Sequence, residues 1–272
     1  MQKYLILICL SFISLPAVAQ ITNTNVKHYE GIEDETTYFL LSGESTYDEL
    51  LTSVLDKHWH YNDYQVITTA QLADQRKKPR FIVGLMTVSF YYNNIKTSVE
   101  VVRMTLAEGF KFNRKGEFSS DNSLIGVQMD DFDEASITHA VKSIQKTVEF
   151  VLLYDRKMNV KFSKFLKKID KLYARDIRNK TLYVVAEDMH DKVNSAIELK
   201  KYYKYPAKFV SRSELNDAII KNQKDVVYMK MVQYKAYRLV LFFSAENGKL
   251  LAFDIMAGFN QRQIKKAVLK SV

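Results

Sequence analysis

The chain of 272 residues holds one cysteine, Cys9, and it lies within the first 20 residues. Residues 21–272 therefore carry no thiol. That excludes disulfide staples and a cysteine nucleophile, and it leaves stability to ordinary apolar cores. The sequence also lacks a Gly-x-Ser-x-Gly elbow, a glycine-rich phosphate loop and any nucleic-acid-binding motif. Beyond residue 20 no stretch is both apolar and long enough to span a bilayer as a helix.

The amino terminus has Lys3, an apolar run over 4–15, then Pro16 and the small residues Ala17, Val18 and Ala19. This is the pattern of a cleavable signal peptide, residues 1–19. The apolar run is shorter than the roughly 20 residues of a spanning helix. Cys9 does not follow the cleavage position, which argues against a lipid-anchored mature terminus. The expectation is export to the periplasm or the exterior.

Self-similarity sets the architecture. Residues 37–41 (TYFLL) match 181–185 (TLYVV) at an offset of 144, residues 66–72 (VITTAQL) match 209–215 (FVSRSEL) at 143, and residues 132–141 (FDEASITHAV) match 259–268 (FNQRQIKKAV) at 127. In each copy a short strand precedes a helix with apolar residues three and four apart: Leu51, Val54 and Leu55, or Val193, Ala196 and Ile197. A second strand runs into a capping box, Thr68 with Gln71 and Ser211 with Glu214. Strand-rich stretches follow at 81–90 and 97–106, or 226–232 and 237–243, and Asn247-Gly248 is a hairpin signal. A last strand, 124–129 or 250–255, leads to a final helix beginning near Asp133 or Asn260.

The predicted fold class is α/β with mixed α+β sheets: two tandem β-α-β-α-β-β-β-α units, 20–155 and 180–272, joined by a basic amphipathic helix over 156–179. The difference of 17 between the offsets 144 and 127 assigns an insertion to a polar loop near 114–122 of the first copy.

This element order resembles a group of cell-envelope domains with an anticodon-binding-domain-like α/β fold. The group comprises the amino-terminal domain of the Tol translocation protein TolB, the periplasmic domain of the curli secretion channel, and the lipoprotein activators of penicillin-binding proteins. The resemblance covers residues 181–272 best and 37–145 more loosely, and it rests on 209–215, Val226-Val227 and 237–253. The first copy departs from it at 109–118, which lacks the compact turn. The resemblance implies docking on envelope proteins and no active site; it carries no residue-level motif.

The formal charge of +9 is unevenly divided: residues 21–155 hold 13 basic and 20 acidic side chains (−7), residues 156–272 hold 26 and 11 (+15), and Lys3 supplies the remainder. Residues 156–180 alone hold ten basic and two acidic side chains. There Phe162, Phe165, Leu166, Ile169, Leu172 and Tyr173 form an apolar stripe, with Lys161, Lys164, Lys167, Lys168, Lys171 and Arg175 largely off it. One reading is a solvated face. The other is a partner surface formed by Lys161, Lys164, Lys168, Lys171 and Arg175, for an envelope protein or an anionic membrane surface. The tract 200–206 (KKYYKYP) adds aromatic rings beside positive charge, a binding-surface pattern, and its simpler reading is a helix end covering a core edge.

His58-Trp59-His60, near Asp56 and Asp63, is the one cluster with metal-ligand chemistry, but no third ligand stands at a recognised spacing. The helix-end reading is simpler: His58 continues the Leu51 and Leu55 face, and Trp59 anchors it. The run Asp130-Asp131-Phe132-Asp133-Glu134 lacks the alternation of a calcium loop and suits a helix amino terminus. The expectation is an extracytoplasmic, non-catalytic binding or scaffolding protein of the cell envelope with no metal or other cofactor. The alternatives are a peripheral binder of anionic surfaces and a metal-dependent hydrolase centred on His58 and His60.

Overall fold

A computed structural model describes residues 25–75, 78–91, 98–112, 118–154, 162–189, 193, 195–234, 237–257, 264 and 266–271. The first unit runs β1 (Thr37–Leu40), α1 (Ser45–His58), β2 (Tyr64–Ile67), α2 (Thr69–Ala73), β3 (Phe81–Tyr91), β4 (Ser98–Glu108), the small pair β5 (Lys111–Phe112) and β6 (Phe118–Ser119), β7 (Ser123–Met129) and α3 (Glu134–Tyr154). Helix α4 (Phe162–Ile177) follows. The second unit runs β8 (Thr181–Val185), α5 (Ala196–Tyr202), β9 (Ala207–Val210), α6 (Arg212–Ile220), β10 (Val226–Tyr234), β11 (Tyr237–Ser244), β12 (Leu250–Ala257) and α7 (Lys266–Ser271).

The two large sheets have one topology. Their strand orders are β2-β1-β3-β4-β7 and, read in the same sense, β9-β8-β10-β11-β12. In each, the first strand lies parallel to its two neighbours and the last three strands form an antiparallel meander. The duplicated mixed α/β unit read from the sequence is thus the architecture of the chain.

The capping residues stand where their spacing put them. Thr68 Oγ1 accepts the Gln71 N–H at 3.2 Å and Gln71 Oε1 accepts the Thr68 N–H at 2.8 Å, a complete box at the start of α2. Ser211 Oγ accepts the Glu214 N–H at 3.1 Å at the start of α6. There the reciprocal arm is missing, because Glu214 turns to Lys208 at 2.6 Å. An ion pair has replaced half of the predicted box.

Three expectations need correction. The first concerns register. The ladder sets Thr37 opposite Tyr64 and Phe81, and sets Leu182 opposite Ala207 and Val227. Phe39 and Val184 then face the first helix of their own unit. The equivalent of Thr37 is Leu182, an offset of 145, one more than the sequence match. Side chains alternate along a strand, so a shift of one exchanges the two faces of the sheet.

The second concerns α5. Ser195 caps it, accepting the Glu198 N–H at 3.3 Å, so the helix begins after Val193. The buried line passes through Val193, Leu199 and Tyr203, and leaves Ile197 74% exposed. The third concerns the insertion. It supplies β6, which pairs with β5 just before it, and Phe118 on β6 is buried in a cluster with Leu40, Ile67, Leu72, Ile82 and Ala107. A Cβ on Gly84 would stand 3.0 Å from the Phe118 ring. What reads as a tolerant surface loop contributes a core residue.

Helix α3 lies between the two units. Ile137, Ala140, Val141, Ile144, Val148 and Val151 are buried, and α3 packs on α1 and β7 of its own unit and on α6 of the second. One apolar cluster consequently runs from Phe39 and Leu51 through α3 to Tyr228, Leu241 and Phe243. A second cluster fills the opposite face of the second sheet, beneath α5 and α7.

Candidate functional site

Some polar residues of α3 are buried as well: His139, Lys142 and Ser143 are 2%, 6% and 1% exposed. Each reaches the second unit. His139 Nδ1 and the Tyr228 hydroxyl are hydrogen-bonded at 2.6 Å, and the Tyr228 and Phe243 rings meet the imidazole edge-on, with centroids at 5.7 and 4.6 Å. Burial, reinforced by Lys230 and Lys142, holds the imidazole pKa far below the ordinary value, so the ring is neutral. Burial raises the Tyr228 pKa, which keeps it a phenol. Ser143 donates to the Gly248 carbonyl at 3.2 Å.

Lys142 Nζ donates to the Ile219 carbonyl (3.2 Å), Asn222 Oδ1 (2.7 Å) and the Ala245 carbonyl (2.7 Å). An ammonium has three N–H groups, so no donor is left for a substrate. Burial lowers its pKa to about 8. Asn222 presents its side chain from a left-handed backbone conformation, φ 53°. This cluster resembles acid–base machinery in composition, and the hydrogen bonds named above join α3 to the second unit.

Helix α4 is fixed through its apolar stripe. Phe165, Leu166 and Ile169 are buried, and Phe150 of α3 meets Phe165 and Tyr173 edge-on at 5.0 and 6.0 Å. Lys249 Nζ sits 3.3 Å from the Tyr173 ring centroid and 3.8 Å from Asp176. Of the predicted partner surface, Lys171 and Arg175 are exposed and Lys168 is half-buried. Lys161 and the side chain of Lys164 lie outside the described residues. Lys167, one position from Lys168, is exposed, so the outward row is Lys167, Lys171 and Arg175 at intervals of four. Leu172 beside it is 40% exposed. A cleft of about 260 Å³ opens between α3, α4 and the β11–β12 turn, lined by Phe150, Phe165, Tyr173, Lys146 and Lys249 among others.

The histidine cluster is a helix end. Trp59 is 3% exposed, packs edge-on to Phe39 at 5.0 Å and donates through its indole N–H to Asn62 at 3.0 Å. His58 is buried, and burial lowers its pKa, with Lys142, Lys57 and His60 adding to the effect. His60 Nε2 lies 3.0 Å from the Lys57 carbonyl. Among the described residues no three His, Cys, Asp or Glu side chains are placed to hold a metal. In the acidic run, Asp133 accepts the Ser136 N–H at 2.8 Å as a helix cap and takes Asn216 of α6 at 2.8 Å, while Asp130 pairs with Lys230 at 3.0 Å. In the tract 200–206, Tyr203 is 2% exposed, a core position.

Sequence reasoning missed His139, Lys142 and Ser143. Their signal was present, since polar residues on a helix ordinarily mark its solvent face, but periodicity does not tell solvent from a second unit. The chain matches no family model, no curated protein and no solved structure.

Proposed function

We propose that this chain acts outside the cytoplasm as a non-catalytic binding and scaffolding protein of the cell envelope, presenting the cationic row of α4 to an acidic protein partner. The observation that carries this reading is the row itself. Lys167, Lys171 and Arg175 are exposed on a helix whose opposite face is held by Phe165, Leu166 and Ile169. Like charges four apart on a helix disfavour it by about 0.2–0.5 kcal/mol per pair. Among the described residues the ion pairs of this region, Lys249–Asp176 and Lys146–Glu149, leave the row uncompensated. The amino-terminal pattern of residues 1–19 supports export, and the resemblance to envelope docking domains supports a protein partner. The full use of the Lys142 donors supports a structural role for the inter-unit cluster.

A second reading, attachment to an anionic membrane surface, is favoured by Leu172, which lies exposed within the cationic row. The test compares wild type with K167E/K171E/R175E. Each is used in cross-linking capture from the native envelope and in sedimentation with phosphatidylglycerol or phosphatidylcholine vesicles, at low and high salt. A protein captured by wild type alone, and released by salt, supports the first reading. Binding only to phosphatidylglycerol vesicles supports the second. If the triple variant keeps its circular dichroism spectrum and its full binding profile, the row is a solvated face and the proposal fails.

A further inference from the structure

The face of the first sheet opposite α1 and α3 carries a buried charge that has no acceptor among the described residues. Arg103 on β4 is 4% exposed, and among the described residues its Nε and one terminal nitrogen have no hydrogen-bond partner. The Phe90 ring covers the guanidinium, with its centroid 4.9 Å from Cζ. Two residues along the same face, the Thr105 hydroxyl is also buried and unpartnered. Both side chains converge on Gly126 of β7. A Cβ built there would lie 3.2 Å from Arg103 Cδ and 3.4 Å from Thr105 Oγ1.

The second unit shows what this place holds when it is only core. Phe81 and Val227 are equivalent, since they stand opposite Thr37 and Leu182. Following the ladders outward, Arg103, Thr105 and Gly126 correspond to Leu239, Leu241 and Phe253. That trio is apolar and packs in the cluster shared with α3. The first unit therefore replaces three apolar residues with a guanidinium, a hydroxyl and a glycine on the same sheet face.

A cation removed from water without an acceptor is unfavourable, and an aromatic face compensates only part of the lost hydration. Burial lowers the Arg103 pKa to about 10, which leaves it charged at neutral pH. A guanidinium fork is matched in shape to the two oxygens of a carboxylate or phosphate, and a neighbouring hydroxyl can donate a further bond.

We propose that Arg103 and Thr105 form a receptor for a single oxyanionic group, a carboxylate or a phosphate, on the face of the first sheet opposite α1 and α3. This site is independent of the α4 row, and either proposal stands if the other fails.

The experiment observes the arginine Nε–Hε resonances of the full protein by ¹⁵N-edited spectroscopy, with Arg103 assigned from its absence in R103K. Acetate and inorganic phosphate are titrated separately at constant ionic strength, balanced with chloride, and thermal midpoints are recorded in parallel. A saturable shift of the Arg103 resonance with one or both anions is expected. The midpoint should rise with the same anion, because a ligand of the folded state stabilises it. Thr105→Val should weaken the affinity by about fivefold, the loss of one hydrogen bond. Arg103→Met should melt higher than wild type in chloride alone and show no anion-dependent rise.

A response to phosphate only assigns the site to phosphate, and a response to acetate assigns it to carboxylates. No saturable shift with either anion overturns the proposal, as does an equal midpoint rise in R103M. Should R103M fail to fold, the wild-type resonance and the T105V titration decide.

Discussion

Gly248 in the β11–β12 turn lies so close to Lys142 on α3 that a Cβ added to the glycine would stand 2.7 Å from the lysine Cβ and 3.0 Å from its carbonyl carbon. The turn glycine also has φ 70°. One residue thus meets two requirements, a left-handed turn and the seating of a helix from the other unit.

Those requirements separate by mutation. Gly43 has φ 88° with nothing within 4 Å, so Gly43→Ala should cost only the backbone strain, about 1 kcal/mol. Gly248→Ala adds an overlap with backbone atoms and should cost roughly 2–4 kcal/mol in all. Urea unfolding of the two variants checks the difference. Equal losses would mean that the α3 contact yields freely.

Lys142 makes stability depend on alkaline pH. Its pKa is lowered from 10.5 to about 8 in the folded chain, so between these values the unfolded chain binds more protons. Stability from this group should therefore rise with pH across that window, by at most about 1.4 kcal/mol per pH unit, and be lost as pH falls towards 8. Lys142→Met should remove this slope. It should also lower stability near pH 7 by roughly 3–5 kcal/mol, because two buried carbonyls and the half-buried Asn222 Oδ1 lose their donor. Unfolding free energies of both proteins from pH 7 to 10.5 provide the measurement.

His139 acts on the acid side. Its folded pKa lies well below 6.5, so its contribution is present above 6.5 and declines as pH falls below that value. His139→Phe keeps a ring between Tyr228 and Phe243 but cannot titrate. Its stability profile below pH 6.5 should be shallower than that of wild type. Parallel profiles would remove His139 from the acid response.

The contact between Gly84 and Phe118 predicts coupling. Phe118→Ala should destabilise by about 3–5 kcal/mol through the cavity it leaves. Gly84→Ala should overpack against the ring by about 1–3 kcal/mol. In the G84A/F118L double variant, the shorter side chain makes room for the new methyl, so its loss should be smaller than the sum of the two single losses. Denaturation of G84A, F118L and the double variant tests this, and strict additivity would rule the contact out as the cause.

How much of this was readable beforehand follows from what each signal depends on. Thr68 and Ser211 were placed correctly because a cap is set by residues three apart. The strand order followed from element succession in each copy. The register of β8 was off by one because TYFLL and TLYVV match best where their initial threonines coincide, whereas the pleat follows the buried face. Ile197 was misjudged because Ser195 starts the helix later than the apolar spacing implies. The exposure of Lys171 and Arg175 follows from their place off the apolar stripe of α4, whereas that logic gives no sign of Lys142, whose surroundings are supplied by residues as distant as Ala245. Arg103 gave no signal, since one arginine in a strand reads as an exposed position.

The position of α3 bears on how the polypeptide is produced. Lys142 and its acceptor at Ala245 are 103 residues apart. A chain emerging from its amino terminus completes this helix well before the sheet that will enclose its polar side has left the machinery. During that interval the first repeat can assemble on its own strands, but His139, Lys142 and Ser143 face water. The second repeat needs the first as a template for one side of its core, so a truncation after residue 155 should leave a soluble fragment, and residues 180–272 alone should aggregate.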